Sequence, residues 1–107
     1  MRRVVFQIQI RKDKVEEYKE VHRNVWPEVL VMLTKHGWHR YSLFMNKDAM
    51  VFGYFETNSD FATCLAGFLS EEVVTRWSES VGDLAETPEG GGAEDVIVEL
   101  EEVFHLD

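Results

Sequence analysis

Between Val4 and Ile10 the even positions Val4, Phe6, Ile8 and Ile10 are apolar, while Gln7 and Gln9 interrupt the odd ones. That alternation predicts a strand with one dry face and one face carrying amides. The period then changes. From Asp13 to Gly37, the residues Val15, Tyr18, His22, Val25, Val29 and Leu33 recur three or four positions apart, so they share one side of a helix that faces the core. Asp13 is the expected N-cap, with Glu16 as its capping-box partner and Glu17 beside it in the positive first turn. Pro27 lacks the N–H that would bond the previous turn, so the helix should kink or restart near Trp26, just past His22. Gly37 is placed to take the left-handed C-terminal cap.

Two aromatic-rich runs follow, Trp38 to Met45 and Met50 to Glu56, separated by Asn46-Lys47-Asp48-Ala49, a good hairpin loop. Simple alternation in the first run puts His39, Tyr41, Leu43 and Met45 on one face and Trp38, Arg40, Ser42 and Phe44 on the other. Gly53 marks a bulge or a close backbone approach. Asn58-Ser59-Asp60 starts a short helical segment that Gly67 ends or bends, and Ser70 is the expected cap of a second one with the apolar stripe Val73, Val74, Trp77, Val81 and Leu84. The run Thr87 to Ala93, TPEGGGA, reads as a mobile loop; with no Lys-Ser/Thr after its glycines and a strand following, it is no phosphate loop. Val96, Val98, Leu100, Phe104 and Leu106 share one parity and predict a last strand.

The order βαββαβ predicts an α+β, ferredoxin-like fold: an antiparallel sheet with helices on one face. Both parities of the hairpin strands carry large aromatics, so the helix-free face also needs a cover. A second copy of the chain packed sheet to sheet is the expected one, making a homodimer.

Composition narrows the function. A chain of 107 residues has room for one domain, spanning 1–107, with a real core. A formal net charge of −9 disfavours phosphate backbones and anionic membrane surfaces. Cys64 is the single cysteine, which rules out an intrachain disulfide and paired-cysteine metal sites and suits a reducing compartment. No stretch approaches the roughly 20 apolar residues that cross a bilayer, and the N-terminus reads as a strand rather than a signal peptide, so the expected location is cytoplasmic.

His22 is the best acid–base candidate, because an imidazole exchanges protons near neutral pH without much tuning. Tyr18 lies one turn away and can orient either the ring or a ligand hydroxyl. Tyr41 and Trp77 add aromatic faces, which suit a carbohydrate: its C–H faces pack on rings while its hydroxyls form hydrogen bonds. His22, His36, His39 and His105 show no metal-ligand spacing, so no metal site is expected. Neither Cys64 nor any serine sits in a nucleophile setting. Glu102 and Asp83 are candidates for supporting carboxylates.

The block Tyr18-x-x-x-His22, Trp26-Pro27-Glu28 and His36-Gly37 resembles the L-rhamnose mutarotase family, and Tyr41, Arg76-Trp77, Asp83 and Glu102-Val103-Phe104 extend the resemblance over nearly the whole chain. It implies a dimeric α+β barrel that interconverts the α and β anomers of L-rhamnose or a related deoxy-sugar with no metal or organic cofactor. Carried over by position, His22 is the proton donor, and Tyr18, Tyr41 and Trp77 contact the sugar. Ser78 joins the substrate-binding set, standing where the family usually has a second tryptophan and removing one aromatic wall. The base is left open between Tyr18 and a bound water. Two other functions suit the same architecture, a cofactor-free monooxygenase and a sugar-binding relative without catalysis.

Overall fold

The buried faces of two strands build the centre of the molecule. In the computed structural model, which describes residues 1–87 and 96–107, β1 (Arg2–Gln9) pairs antiparallel with β3 (Met50–Thr57), placing Val4, Phe6 and Ile8 opposite Phe55, Gly53 and Val51. Every second residue of β3, from Val51 to Thr57, is buried. Full burial of a side chain such as Phe55 contributes about 1.5–3 kcal/mol relative to leaving it in water. β2 (His39–Met45) pairs with the other edge of β3, and β4 (Ile97–Leu100) with the other edge of β1, in the order β2-β3-β1-β4. This is the expected ferredoxin-like topology.

Among the described residues four α-helices connect the strands: α1 (Val15–Arg23), α2 (Pro27–Lys35), α3 (Phe61–Leu69) and α4 (Glu72–Val81). Val29 of α2, Phe61 and Cys64 of α3 and Val74 of α4 are buried. Phe6 stacks on Phe61 at 5.6 Å and Trp38 on Phe55 at 4.3 Å.

The expected breaks at Pro27, Gly37 and the Asn46 loop hold with local reasons. Pro27 is the first residue of α2, where its missing N–H costs nothing. Gly37 has φ +88°, and the Trp38 N–H donates back to the Leu33 carbonyl at 3.0 Å, closing the left-handed cap. In the hairpin loop, the Asn46 side chain accepts from the N–H groups of Asp48 and Met50 at 2.9 and 3.0 Å. Gly53 is a close approach: a Cβ there would collide with the Phe6 ring. Gly67 does not end α3; it lies inside the helix, where the His36 ring occupies the space of a side chain.

Three expectations are corrected. Asp13 does not cap α1, because residues 12–14 form a 3-10 turn and Lys14 is the cap residue, with no side-chain bond. Backbone bonds from Ile10 to Ala49 and from Arg11 to Leu84 fix the chain just ahead of that turn. Ser70 closes α3, its hydroxyl donating to the Gly67 carbonyl at 2.7 Å, while Glu71 caps α4. The simple alternation of β2 fails between His39 and Ser42, where the register shifts and Arg40 takes φ +52°. That bulge puts His39 opposite Glu56 and sends both Trp38 and Tyr41 to the helix side.

β4 is shorter than expected. Val98 and Leu100 oppose Gln7 and Val5, so this parity faces the sheet side without helices, and Val103, Phe104 and Leu106 lie exposed beyond the strand. Of the glycine-rich run, residues 88–93 lie outside the described residues.

Candidate functional site

α1 is strongly amphipathic, yet none of its residues is buried. Its apolar side faces a cavity of about 460 Å³ between the helices and the sheet. Tyr18, His22 and Val25 form one wall, Val29 and Leu33 of α2 and Phe68 of α3 a second, and Trp77, Ser78 and Val81 of α4 a third. Phe6, Ile8, Trp38 and Tyr41 form the sheet side. All five residues expected to serve the substrate, Tyr18, His22, Tyr41, Trp77 and Ser78, therefore line one cavity.

The exposed His22 ring is held by a 2.8 Å hydrogen bond from Nδ1 to the Tyr18 carbonyl. A carbonyl can only accept, so Nδ1 carries a proton and Nε2 is the atom left to exchange one. The ring lies 4.3 Å from that of Tyr18, tilted by 38°, and meets Trp77 edge-on at 6.3 Å. Three groups thus fix the imidazole at the rim of a largely apolar space.

The two phenols have a different character. Burial pushes the Tyr18 hydroxyl up to about 12. Tyr41 is raised further, by burial first and by the nearby Tyr18 second. A buried phenolate would lose its hydration, so both remain neutral hydroxyls at physiological pH. They suit hydrogen bonding to a ligand, which removes Tyr18 from the choice of base.

Two of the remaining histidines, His36 and His105, are paired elsewhere. His36 Nε2 lies 2.6 Å from Glu71, whose same oxygen takes a 2.8 Å contact from Lys35. His105 contacts Asp107 at 2.7 Å, and Glu102 pairs with Arg3 at 2.8 Å, both away from the cavity. Among the described residues no three His, Cys, Asp or Glu side chains gather as a metal site. Asp83 does reach the cavity lining. So does Trp38, which the alternation of its strand had put on the opposite face. A wider, shallower depression of about 740 Å³ lies between Arg11 and Thr87. It is lined by charged side chains that pair with one another, Arg11 with Asp83 at 3.4 Å and with Asp13 at 3.8 Å, and it contains none of the five.

The sheet order and the cavity beneath the helices define a ferredoxin-like α+β protein of the class that forms α+β barrels. Tetracenomycin F2 cyclase from Streptomyces glaucescens, at 15% identity and a TM-score of 0.69 over the full length of both chains, shares that fold. A family model described as L-rhamnose mutarotase matches residues 3–106, so the chain belongs to the L-rhamnose mutarotase family. The L-rhamnose mutarotase of Bacillus subtilis is 34% identical, with 92% of this chain and 91% of the relative covered. That of Pectobacterium atrosepticum is 32% identical over the whole of both chains. The crystal structure of L-rhamnose mutarotase FA22100 from Formosa agariphila superposes with a TM-score of 0.77 at 27% identity over both full chains.

Proposed function

We propose that this chain is a carbohydrate isomerase that interconverts the α and β anomers of L-rhamnose, with His22 as proton donor and Tyr18, Tyr41, Trp77 and Ser78 as sugar contacts. The observation that carries the reading is the gathering of those five side chains around one cavity in a chain of this family.

Mutarotation requires the anomeric hydroxyl to lose a proton while the ring oxygen gains one, giving an aldehyde that rotates and recloses on its other face. Protons alone are exchanged, so the reaction needs no redox group. His22 presents Nε2, because Nδ1 is committed to the Tyr18 carbonyl. Protonated, Nε2–H donates to the ring oxygen; on reclosure it takes the proton back. Trp77 offers a flat face for the sugar C–H groups, while Tyr18 and Tyr41 bond its hydroxyls and hold the ring oxygen toward the imidazole.

NMR exchange spectroscopy on L-rhamnose anomers tests this directly. Accelerated exchange that is lost in His22→Ala supports it, whereas exchange unchanged by the protein refutes it. Oxygen consumption with a phenolic substrate would instead favour the monooxygenase reading, and tight sugar binding without exchange a purely binding role.

The same reading takes residues 1–107 as one mutarotase-like domain, cytoplasmic and paired as a homodimer. The helix-free sheet face supports the pairing: it exposes Phe44 and Val98 and adjoins the apolar tail residues Val103, Phe104 and Leu106. A monomer mass by light scattering at micromolar concentration would exclude the dimer.

A further inference from the structure

We propose that Asp83 is a second catalytic residue, the base that receives the anomeric proton while His22 supplies one to the ring oxygen. The assignment rests on the mutarotase reading and extends it to the half of the reaction that His22 leaves unfilled.

Ring opening needs two proton transfers, and one imidazole cannot donate and accept in the same step. The described lining of the cavity is aromatic and aliphatic apart from Tyr18, Tyr41, Ser78, His22 and Asp83. The two phenols are kept neutral by burial, and a serine hydroxyl is no base without an activating partner. Asp83 is the one carboxylate among these residues.

Its position is set by the backbone on both sides. α4 ends at Val81, and Gly82 takes φ +81° and ψ −169°. A Cβ on Gly82 would meet nothing within 4 Å, so the glycine serves the turn rather than relieving a contact. Immediately beyond Asp83, the Leu84 carbonyl accepts from the Arg11 N–H at 2.9 Å and Ala85 bridges to Ile10. The chain between the helix end and this bridge therefore holds Asp83 at the rim, shared by the cavity and the open depression outside it.

Arg11 completes the arrangement. Its Nη1 lies 3.4 Å from Oδ2 of Asp83, which orients the carboxylate and leaves Oδ1 for a ligand. The Asp83 side chain is 74% exposed, so the carboxylate is open to a ligand entering at the rim.

The step balances. The anomeric O–H proton goes to Asp83, the O–H electron pair becomes the carbonyl bond at C1, the bond from C1 to the ring oxygen breaks, and that oxygen takes the Nε2 proton of His22. After rotation about C1–C2 the same transfers run in reverse on the other face, regenerating carboxylate and imidazolium. No oxidant, reductant or further reactant is involved.

The test is NMR anomer exchange on L-rhamnose over a range of concentrations with the full chain. Asp83→Asn is expected to lower kcat about 10–100-fold with KM changed less than about threefold, and without a change in the urea unfolding midpoint. Asp83→Ala should regain rate on addition of formate, and His22→Ala should not. Arg11→Gln should fall between Asp83→Asn and wild type. An active wild-type protein whose kcat is unchanged by Asp83→Asn overturns the Asp83 assignment and leaves the mutarotase reading standing. A lost kcat with no rescue by formate at any concentration also overturns it, because a structural role would behave that way. Wild-type protein without activity on rhamnose would remove both.

Discussion

β3 and α1 both carry a clear periodic pattern, and the structure uses the two patterns in opposite ways. On β3 each inward residue is buried, with Val51 and Phe55 fully inaccessible. On α1 no residue is fully buried: Val15 and Tyr18 pack in part against Ile10, Ala49 and Val51, and the rest of the inward side faces a cavity. Amphipathicity tells which side of an element turns inward; it does not tell whether protein or a ligand completes the contact. Here the strand is committed to stability and the helix to chemistry.

Mutations can break that division. His22→Ala should lower the rate of anomer exchange about 10²–10⁴-fold, the span of one positioned acid–base group. Its urea midpoint should barely move, since the ring is exposed and its one described hydrogen bond is to its own helix. A large loss of stability would show that α1 is structural after all.

The converse change is Phe55→Ala, expected to cost about 3–5 kcal/mol in urea unfolding, as for other buried aromatics. Val25→Ala, at the half-buried junction of α1 and α2, should cost less than about 1 kcal/mol, because half-exposed side chains have less apolar area to lose. Equal costs would erase the distinction between packed strand and cavity wall.

Gly53→Val should destabilise by about 1–3 kcal/mol, since the Phe6 ring already fills the space of a side chain. Calorimetric or urea unfolding measures it. Tyr18→Phe should leave stability nearly intact and raise KM about 2–10-fold, the equivalent of one neutral hydrogen bond to the sugar.

The smallest effect expected is an acid dependence outside the cavity. Lys35 and His36 hold the Glu71 carboxyl below its usual range. A carboxyl that ionises more readily when folded adds stability above its unfolded pKa and loses it as pH falls through the folded one. Thermal melts from about pH 6 to about pH 3 should therefore fall less steeply in Glu71→Gln than in wild type. Identical slopes would mean that the cluster adds nothing.

Much of the fold was legible from local patterns. Val4 to Ile10 alternates, Pro27 restarts a helix, Gly37 caps one, and the Asn46 loop closes a hairpin, each through contacts within a few residues. The misread positions depend on contacts made elsewhere. Asp13 looks like a cap until the backbone bonds of Ile10 and Arg11 fix the preceding chain. Ser70 closes α3 instead of starting α4, and Glu71, at the cap position, makes no side-chain cap bond while Lys35 and His36, far away in sequence, contact its carboxylate.

The candidate site divides the same way. Tyr18 and His22 were legible as a pair because one helical turn brings them together whatever else the chain does. Tyr41, Trp77 and Ser78 were tied to them by resemblance, and only packing brings all five to one cavity. Trp38 was placed on the wrong face, since strand periodicity cannot reveal a bulge at Arg40. Asp83 was legible only as a candidate supporting carboxylate; its place at the rim depends on the turn at Gly82 and on Arg11, which reaches it from the far end of the sequence.

By itself, then, the sequence determined the order of elements, the inward side of each, and an imidazole one turn from a phenol, because these follow from backbone periodicity and short-range hydrogen bonds. Tertiary structure decided which inward sides meet one another and which are left facing an open space. It also decided which hydroxyls stay neutral, because burial and charge neighbours arise only when distant segments pack.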